Sequence, residues 1–315
     1  MKDRIYWLDW LKVFGMCLVV YAHIDTQSLM NRFIFSFHMA LFFMISGFLN
    51  KRRDFKDECK VVFRSLFIPY FIFSSLLILL CSGPFVKYFF HISIGSLEEV
   101  PLLIRPLWFV YSLAIIRLIS SLLGSSSLRS IIAAVVCICA FIALLRFNLI
   151  PEDTDLFQIN TTLMAFPFFI FGVFLKKYFK FITKYKVYIM LLSLPFFYFA
   201  IKNGDVNMFR CAPGNNLVLF YLNAAFISVF FILLFETFFN KMSNEVIKTT
   251  SMGLIIVLAS HLFITEIIDK YTFHTLHPAI LTILVMVVGF VLSWITLRYF
   301  PFILGKPLKL KGRKE

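Results

Sequence analysis

The chain has 315 residues, 60% of them hydrophobic, with a mean hydropathy of +0.87 and a formal net charge of +14. A soluble domain is only about 45–50% apolar, and here long apolar stretches recur from end to end. The composition therefore excludes an ordinary soluble domain and predicts an all-α, polytopic transmembrane helix bundle.

The alternating strands of about ten residues that build a membrane β-barrel are absent. The six cysteines are scattered, with no C-x-x-C pair and no zinc spacing, so no metal is expected. Cys17, Cys81, Cys137 and Cys139 fall in apolar stretches and are expected as small buried hydrophobes.

In chain order, hydrophobic length predicts spans at 7–24, 33–49, 61–82, 102–120, 129–147, 161–176, 187–202, 217–238, 250–268 and 278–299. The first apolar run lacks a small-residue cleavage site and is expected as a retained helix, not a signal peptide. About ten helices put both termini on one side. By that division 24 Lys and Arg residues fall on the side of the termini and 7 on the other, while acidic residues divide 8 to 9. The bias lies in Lys and Arg, as the positive-inside rule requires. Both termini are thus expected to be cytoplasmic, and the basic charge needs no nucleic acid to explain it.

No internal repeat or low-complexity segment stands out. The far-side connections 83–101 and 203–216 are too short to fold alone, so residues 1–315 are expected to form one transmembrane domain without a separate soluble domain. Asn160-Thr161-Thr162 matches a glycosylation sequon, a triplet common by chance.

The first predicted helix, WLDWLKVFGMCLVVYAHI, carries Asp9, Lys12 and His23. A charge at mid-bilayer costs roughly 2.5–3.5 kcal/mol on insertion scales. At 100° per residue, Lys12 and His23 lie about 20° apart, and Asp9 lies about 60° from Lys12 and about 40° from His23. All three share one face, with a rise of about 16 Å between Lys12 and His23. Such a stripe is expected to face the bundle or a water-filled cavity. Asp9 and Lys12 are spaced to pair along the helix. The plainer reading has Lys12 snorkelling, Asp9 balancing it and His23 wetting the interface.

His38 opens the second span at its outer end, and His261 lies in the outer half of the ninth. By topology His23, His38 and His261 occupy similar depths, which fits a catalytic centre, a metal site or a proton path. His274 and His277 sit in an outer loop at a spacing that also suits a metal.

These residues resemble the acyltransferase-3 family of integral membrane acyltransferases. Lys12, ten intervening residues and His23 match its basic-x10-His pattern in helix one. The segment FHMALFFMISGFL (37–49) is similar to its phenylalanine-rich His…Ser-Gly segment, and RSLFIPYF (64–71) to its Arg…Ile-Pro-Tyr stretch. LWFV (107–110), FPFFIFGVF (166–174) and SMGLIIVLASH (251–261) follow in the family's order. Two departures stand out. Val61 and Phe67 occupy partner positions of the family's Arg-x-x-Arg around Arg64, with Lys60 as a substitute. Val257 stands where a tyrosine is common before the last histidine.

The resemblance implies transfer of an acyl group, usually acetyl, from cytoplasmic acetyl-CoA or another acyl-CoA to a hydroxyl of a cell-envelope glycan or its lipid-linked precursor. It implies a multi-pass protein of the bacterial cytoplasmic membrane, with the bilayer and a glycan as partners. His23 is then the general base, with Lys12 and Asp9 beside it in the catalytic stripe. A covalent relay on His23 is the open alternative.

Lys12, Arg64, Arg52 and Arg53 are candidates for the donor's phosphates and carbonyl, although a positive-inside topology places the arginines there in any case. His38, Trp108 and His261 are candidates for the acceptor side, Trp108 either stacking on sugar or joining the interfacial aromatic belt. Pro167 and Pro195 are expected to kink their helices and open a cavity. The rival readings are a glycan or small-anion transporter or flippase, and a sensor or assembly component with no chemistry. The last leaves the polar stripe without a use.

Overall fold

In hydrocarbon a backbone must satisfy its own N–H and C=O groups, so the long apolar runs fold as helices. The computed structural model describes residues 4–124, 126–150, 155–272 and 275–306. Helix α1 covers Tyr6–Ile24, α2 Leu29–Phe35 and α3 His38–Leu49. A third span joins α4, Phe55–Val62, through a π-helical turn at Phe63–Phe67 to α5, Ile68–Leu80. A short α6, Phe85–Ser93, precedes α7, Trp108–Leu122, and α8, Ser127–Arg146. Then come α9, Ile159–Lys177, α10, Phe179–Lys184, and α11, Lys186–Lys202. A two-stranded hairpin, β1 Val206–Asn207 and β2 Ala212–Pro213, leads to α12, Leu217–Phe239. The described chain closes with α13, Glu245–Met252, α14, Leu254–Tyr271, and α15, Pro278–Tyr299.

Among the described residues, eight helices are long and apolar enough to cross a membrane, and the bent pair α13–α14 makes a ninth. With α11, at 17 residues, the ten expected stretches are all helical. The protein is an all-α, multi-pass helix bundle.

Two expected spans differ in shape. The ninth is not one helix from 250, because α13 and α14 meet at 82°. Gly253 is the elbow. A side chain there would strike Ser293 of α15, whose hydroxyl donates to the Gly253 carbonyl at 3.3 Å. The second span begins earlier than residue 33 and breaks at Ser36–Phe37, where the Ser36 hydroxyl donates to the Phe33 carbonyl at 2.6 Å. His38 therefore opens α3 within the span, after the turn of α2, and not at the outer end.

Helices α1, α3 and α9 form the centre. Nearly all of α3 is buried, and it crosses α9 with the backbones in direct approach. A Cβ at Gly47 would meet the Phe169 carbonyl, and one at Gly172 the Met44 carbonyl. Small residues permit such close crossings in a membrane, where helices associate by packing. Helix α8 is peripheral, with Phe141 its one buried residue. There the cysteine expectation fails for Cys139, which is exposed, while Cys137 on the same helix, Cys17 on α1 and Cys81 after α5 are only half-buried. An apolar face turned to lipid gains nothing by being covered.

Loops expected on the same side meet. On the basic face Lys176 donates to the Asn50 carbonyl, Lys177 to Ser127, and Lys186 pairs with Glu236. On the far face Arg32 pairs with Asp205 at 2.7 Å, and the Phe157 N–H donates to the Ile94 carbonyl.

Candidate active site

Asp9 is buried and does not pair with Lys12 in the described contacts. Its carboxylate accepts from Arg4 Nε and from the Ser251 hydroxyl, both at 2.6 Å. The expected pairing along the helix gives way to a tertiary one, because the α13–α14 elbow brings Ser251 against α1 and Arg4 folds back over the same carboxylate. Lys12 is left facing space. No hydrogen bond or ion pair to it is recorded among the described residues, and its side chain lines two adjoining cavities.

Four cavities lie in series through the bundle. A vestibule of about 1070 Å³ on the basic face is lined by Lys51, Arg52, Arg53, Arg117, Lys176 and Lys177, with Asp54, Asp57 and Glu58. A throat of about 410 Å³ shares Asn50, Lys51, Arg53 and Arg117 with the vestibule and brings in Lys12. A middle chamber of about 380 Å³ shares Lys12, Phe42, Phe109 and Ser251 with the throat. An outer chamber of about 210 Å³ shares Val19, Met39 and Leu258 with the middle one and is lined by His23, His38 and Trp108. Two residues of the α1 stripe line this series, Lys12 the throat and middle chamber and His23 the outer chamber, while Asp9 lines none of the four.

The π turn serves the middle chamber. Pro69 has no N–H to donate one turn back, and the Ile68 N–H reaches the Phe63 carbonyl instead. The shift turns Ser65 and Leu66 toward the chamber wall. π-helical turns of this kind are frequent at functional sites.

The three histidines converge. The rings of His23 and His261 lie 5.0 Å apart between centroids, edge to face, and Phe35 stands 6.0 Å from His23 and 5.1 Å from His38. Each ring places Nδ1 2.8 Å from a backbone carbonyl of its own helix or the preceding turn: Val19 for His23, Ile34 for His38 and Leu258 for His261. A carbonyl can only accept, so Nδ1 carries the hydrogen in all three. In the neutral ring, Nε2 is then the free base. His38 and His261 are fully buried, and the His261 Nε2 has no partner among the described residues.

Trp108 is buried in the outer chamber, 6.1 Å from Phe209 and 6.2 Å from Phe43 between ring centroids. It is no lipid-facing belt residue. Arg52 and Arg53 line the vestibule, whereas Arg64 is exposed on the π turn and lines none of the four cavities. Helices α9 and α11 run on through Pro167 and Pro195, and neither proline lines a chamber. His274 lies outside the described residues. Among the described residues, no three His, Cys, Asp or Glu side chains group to hold a metal.

Two residues that the sequence pattern did not single out join the site. Glu58 is 2% exposed and accepts from Arg53 Nη1 at 2.9 Å and from Arg117 Nε at 2.7 Å. The two arginines are thereby braced at the junction of vestibule and throat. A carboxylate flanked by Asp57 and Cys59 in a basic loop reads as part of a solvated helix start, and nothing local marks its burial.

This is a multi-pass membrane protein with a run of adjoining cavities between a basic vestibule and a histidine cluster. The model of the acyltransferase-3 family, an acyltransferase domain, matches residues 5–298, and the chain belongs to that family. No curated protein and no solved structure matches it. The protein is a membrane acyltransferase.

Proposed function

We propose that this acyltransferase takes its acyl group, acetyl in the simplest case, from acyl-CoA held at the basic face. It transfers that group to a hydroxyl of a cell-envelope glycan or lipid-linked precursor at the far face of the bacterial cytoplasmic membrane. The observation that carries this reading is the run of adjoining cavities, neighbours sharing lining residues, from the arginine-rich vestibule to the chamber lined by His23.

The donor is an anion with a long, narrow arm. Arg52, Arg53 and Arg117 meet its phosphates in the vestibule, where planar guanidinium groups suit phosphate oxygens. The pantetheine arm reaches about as far as four extended residues, roughly 14 Å. That is close to the rise of about 16 Å from Lys12 to His23. Lys12 flanks the arm where it leaves the vestibule and directs its positive charge at the phosphate end of the donor. Asp9 acts through Arg4 and Ser251, holding the elbow that forms the wall beside Lys12. Arg64 faces away from this path, and donor binding passes to the arginines that Glu58 braces.

His23 Nε2 takes the proton from the acceptor hydroxyl as its oxygen attacks the thioester carbonyl. The new C–O bond forms, the C–S bond breaks, and the leaving thiolate recovers the proton from the imidazolium. His38 and Trp108 border the acceptor, and His261 backs the His23 ring.

The test is purified protein with labelled acetyl-CoA and a hydroxylated glycan, wild type beside His23→Ala. Label transfer that needs His23 supports the reading. Absence of turnover with every acyl-CoA, together with glycan movement across vesicles, favours transport instead.

A further inference from the structure

The outer chamber holds charge that base catalysis on a hydroxyl does not need. Arg105 and Arg210 both line it beside His23, Trp108 and Asn207, and no Asp or Glu lines it. The far face has only 7 of the chain's 31 Lys and Arg residues, as the positive-inside bias requires. Two of those seven at one cavity run against that trend. Their neighbours on this face are neutralised differently: Arg32 pairs with Asp205 and Lys87 approaches Glu99.

Arg105 donates from Nε to the Val100 carbonyl at 3.2 Å and from one terminal nitrogen to the Glu98 carbonyl at 3.0 Å. Main-chain carbonyls fix the guanidinium without cancelling its charge. The Glu98 carboxylate acts on it only at longer range, and that carboxylate also accepts the Asp155 N–H. Arg210 is exposed on the turn between β1 and β2. Its own N–H donates to Asn207 Oδ1 at 3.1 Å, which ties the turn over the chamber. No ion pair to its side chain is recorded among the described residues.

We propose that the acceptor is an anionic sugar, one bearing a phosphate or a carboxylate, held by Arg105 and Arg210 with a hydroxyl presented to His23. This inference rests on the acyl-transfer reading and adds the class of acceptor. Guanidinium pairs bind phosphate and carboxylate oxygens through charge-assisted hydrogen bonds, and Trp108 supplies an aromatic face for the sugar ring. A neutral glycan would leave both guanidinium groups at the chamber without a counter-charge.

The experiment uses the full chain in lipid nanodiscs and measures equilibrium binding of labelled glucose 6-phosphate, glucuronate and glucose. At least one anionic sugar binds about tenfold or more tightly than glucose, and added salt narrows the difference. Arg210→Gln removes the preference and Arg210→Lys retains much of it. Arg210 is the informative position, because Arg105 also braces its own loop. A prenyl-phosphate-linked glucose beside free glucose 6-phosphate separates a lipid-borne acceptor from a soluble one.

Equal binding of all three sugars, binding of none, or an unchanged preference in Arg210→Gln overturns the proposal. Release of CoA from acetyl-CoA without any sugar is measured in parallel. If that release depends on His23 while the charge preference is missing, only the acceptor class falls. If an anionic sugar binds through Arg210 and no acyl-CoA is ever turned over, the acyl-transfer reading fails, and the acceptor proposal with it.

Discussion

The ring of His261 meets that of His23 edge to face at 5.0 Å, and its Nε2 is buried without a partner among the described residues. An unsatisfied buried polar atom costs about 1–3 kcal/mol. A structural histidine would be selected to avoid that cost. On the proposed mechanism, this lone pair stands beside the ring that becomes an imidazolium during proton transfer. His261→Phe keeps the volume and removes the unsatisfied nitrogen. The expected result is unchanged or higher thermal stability together with a fall in kcat of about tenfold or more, within the range general-base catalysis supplies. Loss of both fold and activity would make His261 a core residue only. Unchanged kcat would remove it from the site.

Glu58 carries the second prediction. It is buried between Arg53 and Arg117, and removing one partner of a buried ionic group leaves the others uncompensated, at a cost of about 3–5 kcal/mol. Glu58→Gln should therefore melt earlier than wild type. The freed arginines face the vestibule, so added CoA should recover more melting temperature in the variant than in wild type, because its phosphates replace the lost carboxylate. A thermal-shift titration with CoA decides this. Equal shifts in both proteins would detach Glu58 from donor binding.

The sequence makes the spans, their sidedness and the shared face of Asp9, Lys12 and His23 legible, because hydrophobic length, Lys and Arg counts and helical period are local properties. The meeting of His23 with His261, and of His23 and His38 at one chamber, depends on lateral packing, which position along a span does not give. The sequence does not reveal Glu58, whose burial depends on Arg117, 59 positions away. Nor does it reveal that Asp9 leaves Lys12 for Ser251, 242 positions away. Spacing along a helix offers the nearer pair, but a bend at Gly253 decides the actual one. Arg64 shows the opposite limit: its place in a recognisable motif does not turn its side chain toward the cavities.

Burial raises the carboxyl groups of Glu98 and Asp155 above their ordinary range, and in each case desolvation is the leading cause. Glu98 also feels charged neighbours in the far-side loops, Asp155 raising it and Arg105 lowering it, whereas hydrogen bonds from Thr161, Asn160 and Ile159 pull Asp155 back down. A group whose folded pKa is raised holds its proton in the native state at pH values where the unfolded chain has released it. Stability then rises as pH falls through the folded pKa and levels off below the unfolded one. Glu98→Gln removes one such group. The difference in melting temperature, variant minus wild type, should be positive at neutral pH and shrink toward acid. A difference that grows toward acid would show that the charged form is favoured in the fold.

Lys12 provides the sharpest separation between a structural and a functional stripe. Its ammonium lines the throat and middle chamber, and Asp9, the acid expected to balance it, is held by Arg4 and Ser251. If Lys12 served only to snorkel toward the basic face, Lys12→Met would fill the same space with apolar surface. Stability would rise, and donor binding would stay as it was. If Lys12 holds the phosphate end of the donor's arm, the same variant gains stability but loses donor affinity. A charge-assisted hydrogen bond of about 1.5–3 kcal/mol corresponds to a loss of roughly tenfold to a hundredfold. Lys12→Arg then separates charge from shape: it keeps affinity if charge suffices and loses it if the narrow throat admits only the slim ammonium. Binding of a non-hydrolysable acetyl-CoA analogue to the three proteins measures this directly. Wild-type affinity in Lys12→Met would take the donor path away from α1.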